Sequence, residues 1–182
     1  MQLHTSLRLP QCKLQAMLRR CGLCFFLMIP IISYAQENDE KIIKPWVDSP
    51  VNLPAAPATE NLLRFYSNDN QSFFIDHKSI SIVADGSLRY TLVSISRSGA
   101  KNVSYEGLRC DSKQKRLFAF GRADGSWSNS RRNEWDSFSN DGVNKQHSSL
   151  AWDFACEGGS LAGTVENIVQ RIRHNQSLRQ FH

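Results

Sequence analysis

Short apolar segments separated by tight turns, in the middle of the chain, most constrain what it can fold into. Leu88, Tyr90 and Leu92 alternate with polar residues, as expected of a strand with one buried face. The turn signals Ala84-Asp85-Gly86 and Ser98-Gly99 leave too few residues for the crossover that parallel strands need. The pattern therefore predicts an antiparallel meander of four to five strands, within residues 72–76, 79–83, 88–95, 101–110 and 116–122.

Two segments leave alternatives open. After residue 92 the apolar phase shifts by one, which indicates either a bulge or a strand buried on both faces. Residues 148–156 are compatible with a short helix or a strand. A helix is favoured, because it would place Leu150, Ala151 and Phe154 on one face.

The last predicted element is an amphipathic helix over residues 164–173. Thr164 is a suitable N-cap. Apolar residues then recur at i, i+3, i+4 and i+7, at Val165, Ile168, Val169 and Ile172. We expect this helix to cover the sheet, which gives a single α+β domain over residues 61–175, followed by a basic tail at 176–182.

The N-terminal 35 residues have the pattern of a secretory signal peptide. Arg19 and Arg20 precede an apolar run from Cys21 to Ile32, and Ser33-Tyr34-Ala35 places small residues at the expected cleavage site. The run is about a dozen residues, which is too short to span a bilayer. We therefore expect cleavage after Ala35 and export to the periplasm, with Met17 as an alternative start.

The charge balance argues against a nucleic-acid partner. The first 35 residues hold four of the 22 Lys and Arg residues and none of the 17 Asp and Glu residues. The remaining chain therefore has a formal charge of about +1 rather than +5. No clustered basic face or further membrane segment is indicated, so we expect no nucleic-acid partner and no integral membrane span in the mature chain.

Two of the five cysteines, Cys110 and Cys156, lie beyond the leader. A single pair in an exported domain most simply forms a disulfide, because oxidising compartments convert accessible thiol pairs. Two free thiols are the alternative.

Residues 36–60 form a proline-rich linker or arm. Pro45, Pro50, Pro54 and Pro57 favour an extended, non-helical backbone. Two alternatives remain for this arm: it is held loosely, or it docks on the domain through apolar residues at Ile42, Ile43 and Trp46.

The densest group of candidate binding residues comprises Trp127, Arg131, Arg132 and Trp135. On a helix, positions 127, 131 and 135 would share one face, and arginine beside tryptophan can bind anions or stack on planar groups. This chemistry would suit a glycan, a lipid head group or an acidic protein of the cell envelope. The alternative is that both indoles belong to the core and the arginines shield their edges.

A second cluster, residues 105–110, adds Arg109 to the candidate binding residues. On a strand, Tyr105, Gly107 and Arg109 would share one face, and Glu106 and Cys110 the other. Glu106 could pair with Arg122 or Arg89 on a neighbouring strand. Cross-strand ion pairs and a disulfide anchor explain the cluster as well as a small polar site does.

The sequence offers no catalytic set. The histidines lack metal-ligand spacing, no serine lies in a G-x-S-x-G elbow, and neither a metal nor a cofactor is predicted. A carboxylate pair for glycoside hydrolysis would have to come from scattered acids, at Glu106, Asp124, Glu134, Asp136 and Asp153.

Several motifs together resemble one protein family. They are D-G-S-L-R-Y-T-L-V at 85–93, S-G-A-K-N-V-S-Y-E-G-L-R-C at 98–110, F-A-F-G-R-A-D-G-S-W at 118–127, W-D-F-A-C at 152–156 and T-V-E-N-I-V-Q-R-I-R at 164–173. In order and spacing these resemble the cryptic neisserial protein family, a group of exported proteobacterial proteins. The resemblance implies a Gram-negative host and a periplasmic address, and it places both mature cysteines in family motifs. It implies no reaction.

Three hypotheses for function follow. The first is a non-enzymatic interaction or binding module of the cell envelope, and the second is a small periplasmic hydrolase that acts on cell-wall material. The third is a structural surface protein without a small ligand.

Overall fold

The computed structural model of the chain describes residues 46–132, 134–139 and 145–181. The predicted signal peptide at 1–35 and the proposed anchor residues Ile42 and Ile43 lie outside these ranges.

An antiparallel sheet forms the centre of the domain. Its strands in the described ranges are β1 (Leu62–Ser67), β2 (Gln71–Ile82), β3 (Leu88–Ser96), β4 (Lys101–Arg109), β5 (Gln114–Gly121), β6 (Trp127–Asn129) and β7 (Asp136–Ser137). Strands β1 to β6 are hydrogen-bonded in sequence order, and β7 pairs with the start of β5. The predicted α+β class and antiparallel meander are confirmed, with more strands than the four to five expected.

Residues 72–76 and 79–83, predicted as separate strands, belong to one long strand. The register of β2 against β3 shifts between Asp76 and Ser81, where β2 bulges. Within the bulge, Asp76 accepts a hydrogen bond from the Lys78 N–H. The Ser79 hydroxyl oxygen accepts one from the Thr91 N–H, in place of a backbone carbonyl of β2. Side-chain oxygens therefore replace the lost backbone partners, and the strand continues.

The bulge thus lies in β2, and β3 itself continues in register past residue 92 against both of its neighbours. Its residues from Leu88 to Val93 are all buried. Of the two alternatives for the phase shift, burial on both faces is the one observed.

One face of the sheet is covered by helices. These are α1 (Lys145–Ser149), which continues into a π-helical turn at Leu150–Ala155, and α2 (Val165–His174); the short strands β8 (Cys156–Glu157) and β9 (Ser160–Leu161) form a hairpin between them. The predicted helix over 148–156 and the amphipathic helix that follows are confirmed. Thr164 caps α2 by accepting the Asn167 N–H, while the Asn167 side chain returns to the Thr164 N–H.

The main core lies between the helices and the sheet. Tyr90 and Leu108 from the sheet and Leu150 and Ile168 from the helices are fully buried there. The predicted disulfide is present and joins Cys110, after β4, to Cys156, after the π-helical turn. We call this side of the sheet the helix face.

In the part of the chain that the structure describes, no helix is long and apolar enough to cross a membrane.

The opposite side of the sheet carries a smaller aromatic cluster. Tyr105, Phe118 and Ala119 are buried there, with Trp127 and Trp135 packed against them. Residues 46–58, the described part of the proline-rich segment, lie against this side and are called the arm below. The side itself is called the arm face.

Candidate functional site

Three buried arginines lie on adjacent strands of the arm face. Arg89 on β3 and Arg116 on β5 each pair in register with Gly107 of β4, and Arg109 follows two residues later on β4. Their exposed fractions are 2%, 7% and 8% respectively, which is unusually low for arginine. Such burial implies that neighbouring groups balance the charge of each guanidinium. We call these three residues the arginine layer.

Gly107 makes room for this layer. A Cβ atom at this position would lie 2.8 Å from a ring carbon of Phe118 and 3.0 Å from the Trp135 ring. It would also lie 3.2 Å from Nη1 of Arg89. The glycine is therefore explained by close packing of rings and guanidinium over the strand rather than by backbone conformation.

Aromatic rings stack against the guanidinium groups. Arg109 lies between two indoles, with its Cζ atom 3.6 Å from the ring centroid of Trp46 and 3.8 Å from that of Trp135. Arg89 lies 4.0 Å above Phe118, whose ring meets Trp135 edge to face. Such cation–π contacts are stronger when desolvated, as they are here.

Asp48 of the arm supplies a carboxylate to two of the arginines. Arg109 Nη2 donates to Oδ1 at 2.6 Å, and Arg116 Nη1 donates to Oδ2. Trp135 Nε1 donates to Oδ1 as well, at 3.1 Å. Partial burial raises the pKa of Asp48, but the Trp135 hydrogen bond and the Arg116 and Arg109 charges outweigh it and hold the pKa below its ordinary value.

Asp85, in the turn before β3, supplies the second carboxylate. It accepts from Arg89 Nη2 at 2.9 Å and from the backbone N–H groups of Ser87 and Ser49. Although burial opposes ionisation, these donors hold the pKa of Asp85 well below its ordinary value. Ser49 also accepts the Asp85 N–H at 2.9 Å, so this turn fixes the arm a second time.

A third contact holds the far end of the arm. Trp127 Nε1 donates to the carbonyl oxygen of Pro54 at 2.7 Å. Beside it, a cleft of about 370 Å³ is lined by Ala56, Pro57, Val103 and Trp127, among others. The arm is therefore fixed by Asp48, Ser49 and Pro54. Residues 46–58 are docked on the domain, but through these polar contacts and the Trp46 ring on Arg109 rather than through the apolar anchor proposed from the sequence.

The predicted binding residues separate into two groups. Trp135 contacts Arg109 directly, and Trp127 lies on the same face, linked through Tyr105 and Phe118 by ring centroids about 6.1 Å apart. Arg131 and Arg132 are instead exposed, and Arg132 pairs with Asp136 across 2.7 Å. Both indoles are half-buried, with their N–H groups directed to the arm.

The helical arrangement of residues 127–135 was wrong. Trp127 lies on β6, which forms a hairpin with β5 through the Asp124-Gly125 turn. The Ser130 N–H then donates to the Phe118 carbonyl, so the chain stays attached to the sheet edge. The spacing of 127, 131 and 135 was coincidental, because turn chemistry and strand pairing decide the local structure.

The predicted faces of β4 are observed, but the predicted partners of Glu106 were wrong. Glu106 lies on the helix face, where its Oε2 is 2.7 Å from His147 Nε2, and it accepts hydrogen bonds from Ser104 and Tyr90. Burial raises the pKa of Glu106, but His147 and Ser104 outweigh burial and lower it. Arg89 lies on the other side of the sheet, because strand neighbours alternate between faces.

Sequence reasoning missed Asp48, Arg89 and Arg116 as parts of the site. Both arginines occupy the polar positions of alternating strands, which usually face solvent. The sequence nevertheless contained a signal. Gly107 and aromatic residues lie on the same face of these strands as the arginines, and this combination favours a packed rather than a solvated face. In the described ranges, no three His, Cys, Asp or Glu residues are placed to hold a metal ion.

Comparison with family models gives one assignment. The model of the CNP1-like family matches residues 41–173, a span that includes the arm, the whole sheet and most of α2. No curated protein and no solved structure matches the chain. With nearly three-quarters of its length matched, the chain belongs to the CNP1-like family.

Proposed function

We propose that this protein is an exported, non-enzymatic binding module of the Gram-negative cell envelope, and that its arm face binds the partner. One observation carries the proposal. The arm face holds three buried guanidinium groups layered with two half-buried indoles, a set that recognises carboxylates and planar groups.

Export is supported by the leader sequence and by the disulfide. Residues 17–35 have the basic, apolar and small-residue regions of a signal peptide. The Cys110–Cys156 bond is typical of proteins that mature in an oxidising compartment. The motif resemblance to cryptic neisserial proteins adds a periplasmic address to the CNP1-like assignment.

The chemistry of the arm face favours binding over catalysis. Buried arginines that are already stacked and paired are pre-organised, so little side-chain entropy is lost when a ligand binds. An acidic protein segment or an acidic glycan of the envelope would complement them.

The alternative proposal, a small hydrolase, has less support. A glycosidase needs a general acid with a raised pKa beside a second carboxylate. Glu106 and Asp124, two of the acids considered for this role, have pKa values lowered by their hydrogen-bond partners and nearby charges, the opposite of what a general acid needs. Release of reducing sugar from isolated cell walls by the purified protein would favour this alternative.

Site-specific photocrosslinking in living cells tests the binding proposal. A crosslinking side chain at Val47, which is 76% exposed, or at Lys101, which is exposed and borders the cleft beside Trp127, would report on the arm face. The same group at Arg173, exposed on α2, is the matched control. We expect an envelope component to be captured from positions 47 and 101 and not from 173. Equal capture from all three positions, or none, would contradict the proposal.

A further inference from the structure

The arm contacts the sheet as a bound ligand does, rather than as a core element does. Its large apolar side chains remain exposed, with exposed fractions of 41% for Trp46, 76% for Val47, 45% for Val51 and 38% for Leu53. Its direct hydrogen bonds to the sheet and to the turn before β3 come instead from a carboxylate, a serine and a backbone carbonyl. A segment that stabilised the fold mainly by burial would show the reverse distribution.

The surface beneath the arm is suited to binding a carboxylate. Arg109 and Arg116 donate to different oxygens of the same Asp48 group, so the two buried guanidiniums converge on one point. Hydrogen bonds between a guanidinium and a carboxylate are stronger than those between neutral groups. A carboxylate from another chain would meet the same two donors when Asp48 leaves.

The Asp48 side chain itself is easier to displace than its partners. It is 39% exposed, whereas the side chains of Arg109 and Arg116 are 9% and 8% exposed. In the described part of the chain, Arg109 Nε and Arg89 Nη1 are buried and have no hydrogen-bond partner, so the layer holds donors that the arm does not use.

The spacing of the contacts suits an extended peptide. Asp48 and Pro54 are six residues apart, which corresponds to about 20 Å of extended chain. Between them, Ser49 offers its backbone N–H to Asp85, and at the far end Trp127 donates to a main-chain carbonyl. Some peptide-binding domains recognise extended, proline-containing segments in the same way, with hydrogen bonds to the peptide backbone and an aromatic surface beneath it.

We infer that the arm face is a binding site for an extended, carboxylate-bearing peptide segment of a partner protein, and that arm residues 46–57 occupy this site within the same chain. This inference rests on the proposed function and specifies its ligand. The arm is then a competitor, and a partner binds by displacing it. Asp48 stands in for the acidic side chain or C-terminal carboxylate of the partner.

A peptide with the sequence of the arm is a suitable probe for this site. A fluorescent synthetic peptide of residues 46–57 is titrated into the oxidised chain, either unchanged or carrying Asp48→Asn, and anisotropy is measured. Asp48→Asn removes the charge of the resident carboxylate but keeps its size. We expect the peptide to bind the variant chain at least tenfold more tightly than the unchanged chain. A peptide that itself carries Asp48→Asn should show no saturable binding.

Two further variants control the experiment. Val47→Asn, at an exposed arm position, should bind the peptide no better than the unchanged chain. Arg116→Gln, added to Asp48→Asn, should remove binding, with circular dichroism to verify that the fold is kept.

A second measurement covers the case in which Asp48→Asn does not fold. Excess peptide added to the unchanged chain should displace the arm and speed its proteolysis several-fold, and the Asn peptide should not. The inference is overturned if the folded variant fails to bind the peptide, or if Asp and Asn peptides act equally. If crosslinking from positions 47 and 101 captures a partner in that case, the proposed function stands without this ligand.

Discussion

The two faces of the sheet are attached to their covers by different kinds of interaction. On the helix face, Leu108 and Tyr90 are buried against Leu150 and Ile168, and a disulfide closes the layer. On the arm face, arginines stack on aromatic rings and are paired with carboxylates. Apolar burial is strong but not selective, whereas charged hydrogen bonds depend on pH and on a matching partner. We therefore expect the helix face to provide most of the stability, and we propose that the arm face provides recognition.

The largest effect should come from breaking the helix face. Cys156→Ser should lower the free energy of unfolding by about 2–5 kcal/mol, because it removes the cross-link from the unfolded chain. Urea unfolding of the oxidised protein and the variant measures this difference. A parent protein whose melting temperature is unchanged by reductant would contradict the prediction.

An intermediate effect is expected at Gly107, where the arm face is most tightly packed. Gly107→Ala should cost about 1–3 kcal/mol, because the new methyl group would press on Phe118 and Trp135. Asn102→Ala, at an exposed position of the same strand, is the control and should change stability little. Tryptophan fluorescence would report the expected displacement of Trp135. Identical spectra and stability in both variants would show that the layer is loosely packed.

A smaller, pH-dependent effect is expected for Asp48→Asn. The loss should be about 1 kcal/mol near neutral pH, since the carboxylate is partly exposed and screened by solvent. The pKa of Asp48 is lowered in the folded protein, so its contribution is complete above the ordinary value of 3.8 and is lost as the pH falls through the lowered folded value. Unfolding free energies measured between about pH 7 and pH 2 should therefore converge at low pH. A difference that stays constant with pH would exclude the ionic contribution.

The smallest effect on stability should come from the exposed arginines. The double change Arg131→Ala and Arg132→Ala should alter the unfolding free energy by less than about 0.5 kcal/mol, because both side chains are exposed. The same variant tests the sequence prediction that Arg131 and Arg132 bind the partner, and we expect it to weaken capture of an envelope component, because exposed guanidinium groups bind anions. Arg173→Ala with Arg179→Ala is the matched control, because both arginines are exposed on the helical side and Arg179 has one carboxylate partner, as Arg132 does. Equal capture by both double variants would remove Arg131 and Arg132 from the binding surface.

The helix face could be predicted from sequence because its signals are local. The spacing of apolar residues in α2, the Thr164 cap and the alternation in β3 each act within a few residues. Together they gave the class of the fold, and the pair Cys110 and Cys156 gave the disulfide.

The arm face could not be predicted in the same way, because its contacts join distant residues. Asp48 meets Arg109 across 61 positions and Arg116 across 68, and no local pattern encodes such pairs. Arg89 and Arg116 also occupy positions where solvent exposure is the ordinary expectation. Their burial depends on Gly107, which the strand pattern does show, and on the arm, whose contacts with these strands no local pattern shows.

The adjacency of Arg109 and Cys110 has a consequence for strand registration. The arginine points to one side of the sheet, and the cysteine just after it is bonded towards the other. A one-residue slip of β4 would exchange the two sides, driving a guanidinium into the apolar layer and withdrawing the sulfur from Cys156. Once the disulfide has formed, it therefore holds β4 in the register that keeps the arginines on the arm face.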